Sequence, residues 1–154
     1  ENVMIRKLKK EDLDDIIILA KQLWDTEKVF DSNLVDDYYG TKKGYEELLK
    51  DIKSESIFLV ASYNEKIVGF VDGYPLKNDG VYKKNVFYLN RLSVLDKYRR
   101  FSIGTALIDE IKKFAKEKDC AYIKINAFIN NIPAVSLYKK KDFNDYSTFY
   151  MMEI

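Results

Sequence analysis

Apolar and polar positions change period along this chain, and the changes mark its elements. Val3 to Leu8 reads as a short strand, followed by the polar run Lys9-Lys10-Glu11-Asp12. Leu13, Ile16, Ile17, Ala20, Leu23 and Trp24 then recur at i, i+3, i+4 and i+7, the stripe of an amphipathic helix. Val29 to Lys43 has no clear period, with Asp31, Asp36 and Asp37 mixed among Tyr38 and Tyr39. Gly44 to Lys53 predicts a second helix, with Tyr45, Leu48, Leu49 and Ile52 inward. Ile57–Tyr63 and Ile67–Tyr74 are apolar runs either side of Asn64-Glu65-Lys66, which predicts a β-hairpin.

After a polar loop from Pro75 to Lys84, Val86–Leu95 reads as a central strand. Ile103–Lys118 is an amphipathic helix that turns Ile103, Ala106, Leu107, Ile111 and Phe114 or Ala115 inward. Tyr122–Phe128 is a further strand, Ile132–Lys141 a helix and Tyr146–Glu153 a last strand. The order is β-α-α-β-β-β-α-β-α-β. It predicts an α/β (α+β) fold, a mixed sheet covered by helices on both faces. No repeat, low-complexity tract or linker divides it, so residues 1–154 read as one domain.

Composition narrows the chemistry. With 26 Lys+Arg against 25 Asp+Glu, the net charge of +1 gives no field for bulk nucleic-acid or anionic-membrane binding. Histidine is absent, which removes Ser-His-Asp and Cys-His catalysis and every histidine-containing metal cluster. Cys120 is the lone cysteine, so neither an intrachain disulfide nor a thiolate cage can form. None of the six glycines precedes a lysine, and Gly104 alone follows Gly80, so neither a P-loop nor a GxGxxG loop is present. No apolar run approaches the ~20 residues that span a bilayer. The N-terminus lacks a signal pattern, and a lone thiol suits a reducing compartment, so we expect a cytoplasmic chain. The 12 Tyr and 9 Phe are read as core and interface. Carboxylates, hydroxyls, amides and the backbone remain to do chemistry.

The informative stretch runs from Leu92 to Leu107. A buried strand ends at Leu92-Ser93-Val94-Leu95, a basic loop carries Arg99 and Arg100, and a helix begins near Gly104. The first turn of a helix presents unpaired N–H groups and partial positive charge, so this junction suits a phosphate. Equally, Arg99 and Arg100 could be solvated and Gly104 could serve close packing alone.

Tyr98–Leu107 resembles motif A of the GNAT acyltransferases, R/Q-x-x-G-x-G/A, with Arg99, Ser102 and Gly104 in its three defining positions. Asn131 to Phe143 resembles the family's motif B, N-x-x-A-x-x-x-Y-x-x-x-G-F, with Asn131, Ala134, Tyr138 and Phe143 in place. Ser102 and Asp142 stand where the motifs have glycine. The element order is also that of the family.

The resemblance implies an N-acetyltransferase that moves the acetyl group of acetyl-CoA, a cosubstrate, directly to a primary amine of a small molecule or peptide. It implies that Leu92, Ser93 and Val94 lie on a strand splayed from Tyr122–Phe128 to pair with the pantetheine amides. Arg99, Arg100, Phe101, Ser102, Ile103, Gly104 and Thr105 would surround the pyrophosphate. Asn131 would hold the pantetheine arm, or else simply cap the following helix. Tyr138 would protonate the leaving thiolate, or else be a core aromatic. No metal or nucleic acid is implied, and a homodimer is compatible with it. Val86–Val94 carries no carboxylate, so removal of the amine proton is left to a water relay through Tyr88 or Asn90, or to Asp72. Trp24, Phe30, Asp36, Asp37, Tyr38, Tyr39 and Tyr74 are the candidates by position for the acceptor cleft. The competing reading is a non-catalytic acetyl-CoA-binding or protein-interaction domain of the same fold.

Overall fold

The computed structural model describes residues 2–154. Its elements run β1 (Val3–Lys7), α1 (Leu13–Lys28), α2 (Lys42–Lys53), β2 (Ile57–Tyr63), β3 (Lys66–Pro75), β4 (Asn85–Val94), α3 (Ile103–Glu117), β5 (Cys120–Ile125) and α4 (Ile132–Lys140). The five strands form one sheet in the order β1-β2-β3-β4-β5. The first four are antiparallel neighbours, while β4 and β5 are parallel and joined by the crossover helix α3.

Both faces of the sheet are apolar. In β2 the alternate residues Phe58 and Val60 face α1 and α2, where they meet Ile16, Leu19, Ala20 and Leu48. Leu59 and Ala61 face the opposite layer, where Ile103, Leu107 and Ile111 of α3 cover them. Burial on both sides explains why Ile57–Ala61 is a continuous apolar run rather than an alternating one. The β2–β3 turn places Asn64 at φ 50° and Glu65 at φ 70°, the two positive values of a tight hairpin turn whose twist matches the strands.

Strand β4 is irregular on both of its edges. At Asp72/Gly73 the β3–β4 register skips Asn90, so β4 carries an extra residue there and bends. On its other side β4 pairs with β5 only from Asn85↔Cys120 to Leu89↔Ile125. The strands separate at the bulge.

The expected last strand is not formed. Residues 146–153 have no strand partner among the described residues, and Phe149, Tyr150, Met151 and Met152 are exposed. Their β-type pattern gives an extended segment that runs beside Lys124–Ala127 but forms no ladder with β5.

Candidate active site

The separation of β4 from β5 leaves the edge of Asn90–Val94 that faces away from β3 without a ladder partner. It opens a cleft of ≈ 300 Å³ lined by Asn90–Val94, the start of α3, Asn126–Phe128 and the α4 residues Leu137 and Tyr138. Helix α1 closes one side and is tied to β4 by two hydrogen bonds. Ser93 Oγ donates to Leu19 O at 2.8 Å, and Gln22 Nε2 donates to Val94 O at 2.8 Å. The Val94 carbonyl is thereby engaged by the protein itself.

The loop after β4 delivers its residues unequally. Arg99, Ser102, Gly104 and Thr105 line the cleft, with Arg99 also ion-paired to Asp96 at 2.9 Å. Arg100 is exposed outside the cleft lining. Phe101 turns away to pack on Tyr63 and Tyr98, and Ile103 is buried in the core, so both offer the cleft only backbone. Ser102 has φ 57°, the left-handed conformation that glycine adopts without cost, and makes no side-chain cap. The first backbone bond of α3 runs from Ala106 N–H to Ser102 O. The N–H groups of Ile103, Gly104 and Thr105 thus have no intrahelical acceptor. A Cβ on Gly104 would come within 3.2 Å of Leu137 Cδ2, across the narrow floor of the cleft.

Asn131 is the N-cap of α4 and accepts from Ala134 N–H at 3.4 Å, yet it also lines the cleft. The cap occupies Oδ1 and leaves the Nδ2 hydrogens without a protein acceptor among the described residues. Tyr138 packs edge-on against Phe143 and presents its ring to the same cleft. Burial, and then the charge of Glu27, push its phenol up to about 12, so it stays protonated at neutral pH.

Glu27, in the last turn of α1, is a candidate functional residue that sequence reasoning passes over. It lines this cleft and also the adjoining cavity of ≈ 400 Å³, where Tyr39, Glu47, Tyr88, Asn90 and Arg91 lie. No side chain among the described residues engages its carboxylate. Burial raises its pKa, and the Arg91 charge only partly opposes that. A signal is present in the sequence: Ile16, Ala20, Leu23 and position 27 follow one helical stripe, and a carboxylate at an inward position is anomalous.

The wall behind is built on Arg91, buried on β4. Its guanidinium donates to Asp72 Oδ2 at 2.9 Å, Asp51 Oδ2 at 2.8 Å and Tyr39 Oη at 2.8 Å, with Glu47 Oε2 at 3.5 Å. Asp72, proposed from sequence as a base, points into this network and not into the cleft. Its Oδ2 is shared by Arg91 and Asn90, and its Oδ1 is buried with no partner among the described residues. Burial pushes this carboxyl up, against the pull of Arg91. One cation faces Asp51, Asp72, Glu47 and Glu27, so the cavity favours positive charge.

The acceptor candidates divide accordingly. Tyr39 lines the cavity, whereas Asp36 and Asp37 pair with Lys28 and Lys21 outside it. Trp24 stacks on Tyr38 and donates to Val35 O at 2.7 Å, Phe30 stacks on Phe128, and Tyr74 packs on Tyr88. The acidic residues that the cavity does hold are glutamates from α1 and α2.

Comparison with known proteins agrees with this geometry. The sequence profile described as the acetyltransferase (GNAT) family matches residues 20–143. An uncharacterized N-acetyltransferase of Methanocaldococcus jannaschii is 29% identical over 146 residues, 92% of this chain and 60% of its own. The chain therefore spans 60% of that relative's length. A spermidine N(1)-acetyltransferase of Thermoplasma acidophilum is 27% identical over 149 residues, 92% of this chain and 88% of its own. Among solved structures, a mutant of the Bacillus halodurans BH1408 protein superposes with a TM-score of 0.86 at 15% identity, covering 98% of this chain and 99% of that one. The aminoglycoside N-acetyltransferase AAC(6')-Iy in complex with CoA gives 0.76 at 17% identity, covering 99% and 94%.

Proposed function

The chain belongs to the acetyltransferase (GNAT) family, and from that membership we propose that it transfers the acetyl group of acetyl-CoA directly to a primary amine of a small molecule or peptide. The observation that carries the reading is one cleft between splayed β4 and β5 holding a protonated phenol, Tyr138, and an unpartnered carboxylate, Glu27. Acetyl-CoA supplies a thioester whose carbonyl carbon takes the amine nitrogen while its sulfur leaves with the bonding pair. The residues present fit that ligand. Unpaired amides at the start of α3, with Arg99, Ser102, Gly104 and Thr105, suit the pyrophosphate, and the free edge of Asn90–Val94 suits the amides of its arm. Asn131 offers Nδ2 to the same arm.

Each proton has a place in this scheme. An aliphatic amine with pKa ~10.4 attacks through its neutral fraction, and its nitrogen becomes a far stronger acid as the C–N bond forms; Glu27 takes that proton, directly or through one water. Backbone N–H groups of Leu92–Val94 donate to the carbonyl oxygen as it gains charge. Tyr138 donates a hydrogen bond to the departing sulfur. A thiolate of pKa ~8.5 cannot strip a phenol near 12, so Tyr138 spreads the charge and the thiol's final proton comes from solvent. Cys120, free at the start of β5, takes no part and suits a reducing compartment, so we assign the chain to the cytoplasm.

Thermal shift with acetyl-CoA and CoA, then thiol release against a panel of amines, tests the activity. Glu27→Gln tests the base. In the parent, kcat/KM falls as pH drops through a pKa raised above the ordinary carboxylate range, because protonated Glu27 cannot accept. The Gln variant loses ~10²-fold or more in rate together with that acidic limb. An unchanged profile removes Glu27 from the mechanism.

A further inference from the structure

The cavity of ≈ 400 Å³ beside the cleft holds more negative charge than its own side chains neutralise. Arg91 is the one cation in its lining, and two carboxylates already engage it, Asp51 at 2.8 Å and Asp72 at 2.9 Å. Glu47 stands 3.5 Å from the same guanidinium, too far for a strong bond, and its other oxygen accepts only from Tyr38 Oη. Glu27 lines the cavity too, and no side chain among the described residues engages its carboxylate.

These two uncovered carboxylates occupy different positions. Glu27 lines both the cleft and the cavity. Burial, and then the Glu27 charge, raise the phenol of Tyr138 in the first and of Tyr88 in the second. Glu47 lines the cavity and not the cleft. One carboxylate thus serves the nitrogen that meets the thioester, and the other lies farther along a molecule that extends from it.

The C-terminal segment adds an aromatic ring to this enclosure. Ser147, Thr148 and Phe149 line the same cavity, yet Phe149 is 91% exposed and stacks on no other ring among the described residues. Packing does not account for a phenyl ring left free beside uncovered carboxylates. The face of such a ring attracts a cation, as the carboxylates do.

An amine with a single charge answers Glu27 and leaves Glu47 without a counterion and Phe149 without a contact. An amine with two nitrogens answers all three. Its neutral nitrogen attacks the thioester carbon beside Glu27 and the sulfur leaves with the bonding pair, while the second nitrogen stays protonated. The acetyl-transfer reading above is the premise of this step. We infer that the acceptor is a diamine or polyamine whose second ammonium is held by Glu47 and covered by Phe149. Transfer turns one amine into a neutral amide. A diamine product turned end for end brings that amide to Glu47 and leaves the carboxylate desolvated without a counterion, so acetylation stops at one nitrogen.

The test uses the full chain, α,ω-diaminoalkanes of increasing length and the n-alkylamines that match them. In the parent, kcat/KM for the best diamine exceeds that for its monoamine by ~10-fold or more, mainly through KM, and the product carries a single acetyl group. Glu47→Gln removes most of that preference. Phe149→Ala cuts it by ~3-fold or more, and Phe149→Tyr keeps it because the ring remains. Calorimetry of the diamine and the monoamine against the CoA-loaded parent gives the same ranking without turnover, and it decides the matter should a variant misfold. A parent that acetylates monoamines and matched diamines equally well, or a preference that survives Glu47→Gln, overturns the inference and leaves acetyl transfer standing. No thermal shift with CoA and no thiol release with either amine overturns both.

Discussion

Tyr138 is held where a phenol is useful only if its hydroxyl matters. Replacing it with Phe keeps the ring against Phe143 and deletes one O–H that no protein group among the described residues uses. Because the hydroxyl shares the charge developing on sulfur, we expect Tyr138→Phe to lower kcat by ~10²-fold with melting temperature and CoA affinity nearly unchanged. Normal turnover at saturating substrate, with chemistry limiting, would return Tyr138 to a packing role. Ser102 makes a second residue-scale case. A serine at φ 57° bears ~1–2 kcal/mol of steric cost, and glycine relieves it while losing ~0.5–1 kcal/mol through a freer unfolded chain. Ser102→Gly should therefore raise the melting temperature of the free protein slightly. It should also shrink the thermal shift given by CoA, because a hydroxyl leaves the proposed pyrophosphate site. A larger CoA shift in the variant would show that the hydroxyl contributes nothing there. Both glycine departures in the motifs, Ser102 and Asp142, prove to be left-handed positions, in keeping with their places in the motifs. Glu27 escapes a reading by pattern because the irregular stretch from Val29 draws attention to Asp36 and Asp37, which lysines neutralise.

At the scale of elements, the junction of β1 and α1 rests on one ion pair. Arg6 holds Asp12 through two bonds of 2.7 and 2.9 Å, and Lys9 N–H adds a third at 2.7 Å. The Arg6 hydrogen bond keeps the Asp12 carboxyl below its ordinary range. A depressed carboxyl stabilises the fold above the unfolded pKa, and that contribution is lost as pH falls through the folded one. Asp12→Asn should cost about 1.5–3 kcal/mol at neutral pH, and the deficit should vanish in strong acid. Urea melts of parent and variant at neutral and low pH measure it, and a deficit constant with pH would count against the ion pair. Helices α1 and α3 and the hairpin are legible in the sequence because their apolar periods are long and unbroken. The boundaries of β4 and β5 are not, since Asn90 opens a bulge that alternation alone does not encode. The final strand fails for a related reason. A period-2 pattern reports what a segment would pair with, not that a partner lies within its own chain.

Across the whole molecule, the architecture separates a fixed part from a variable one. The sheet, α3 and α4 are bound by the two cores, and motif spacing alone is enough to foresee the cleft between them. Acceptor chemistry is not foreseeable in the same way, because it depends on how α1 and α2 lean over β4, a tertiary fact absent from any single window. The two hydrogen bonds that join Leu19 O and Gln22 to β4 bear on that lean in another way. Both use backbone carbonyls, at Leu19 and at Val94, so most side-chain drift in either element leaves an acceptor in place. Glu27 sits five and eight residues beyond these pins on the same helix, and its position relative to the cleft is inherited from them. Of the residues from Val29 to Lys43, which begin just past it, Tyr39 is tied to β4 through its hydroxyl and Arg91. A lineage could rewrite the rest of that stretch, and with it the choice of amine, without moving the carboxylate proposed to take the proton.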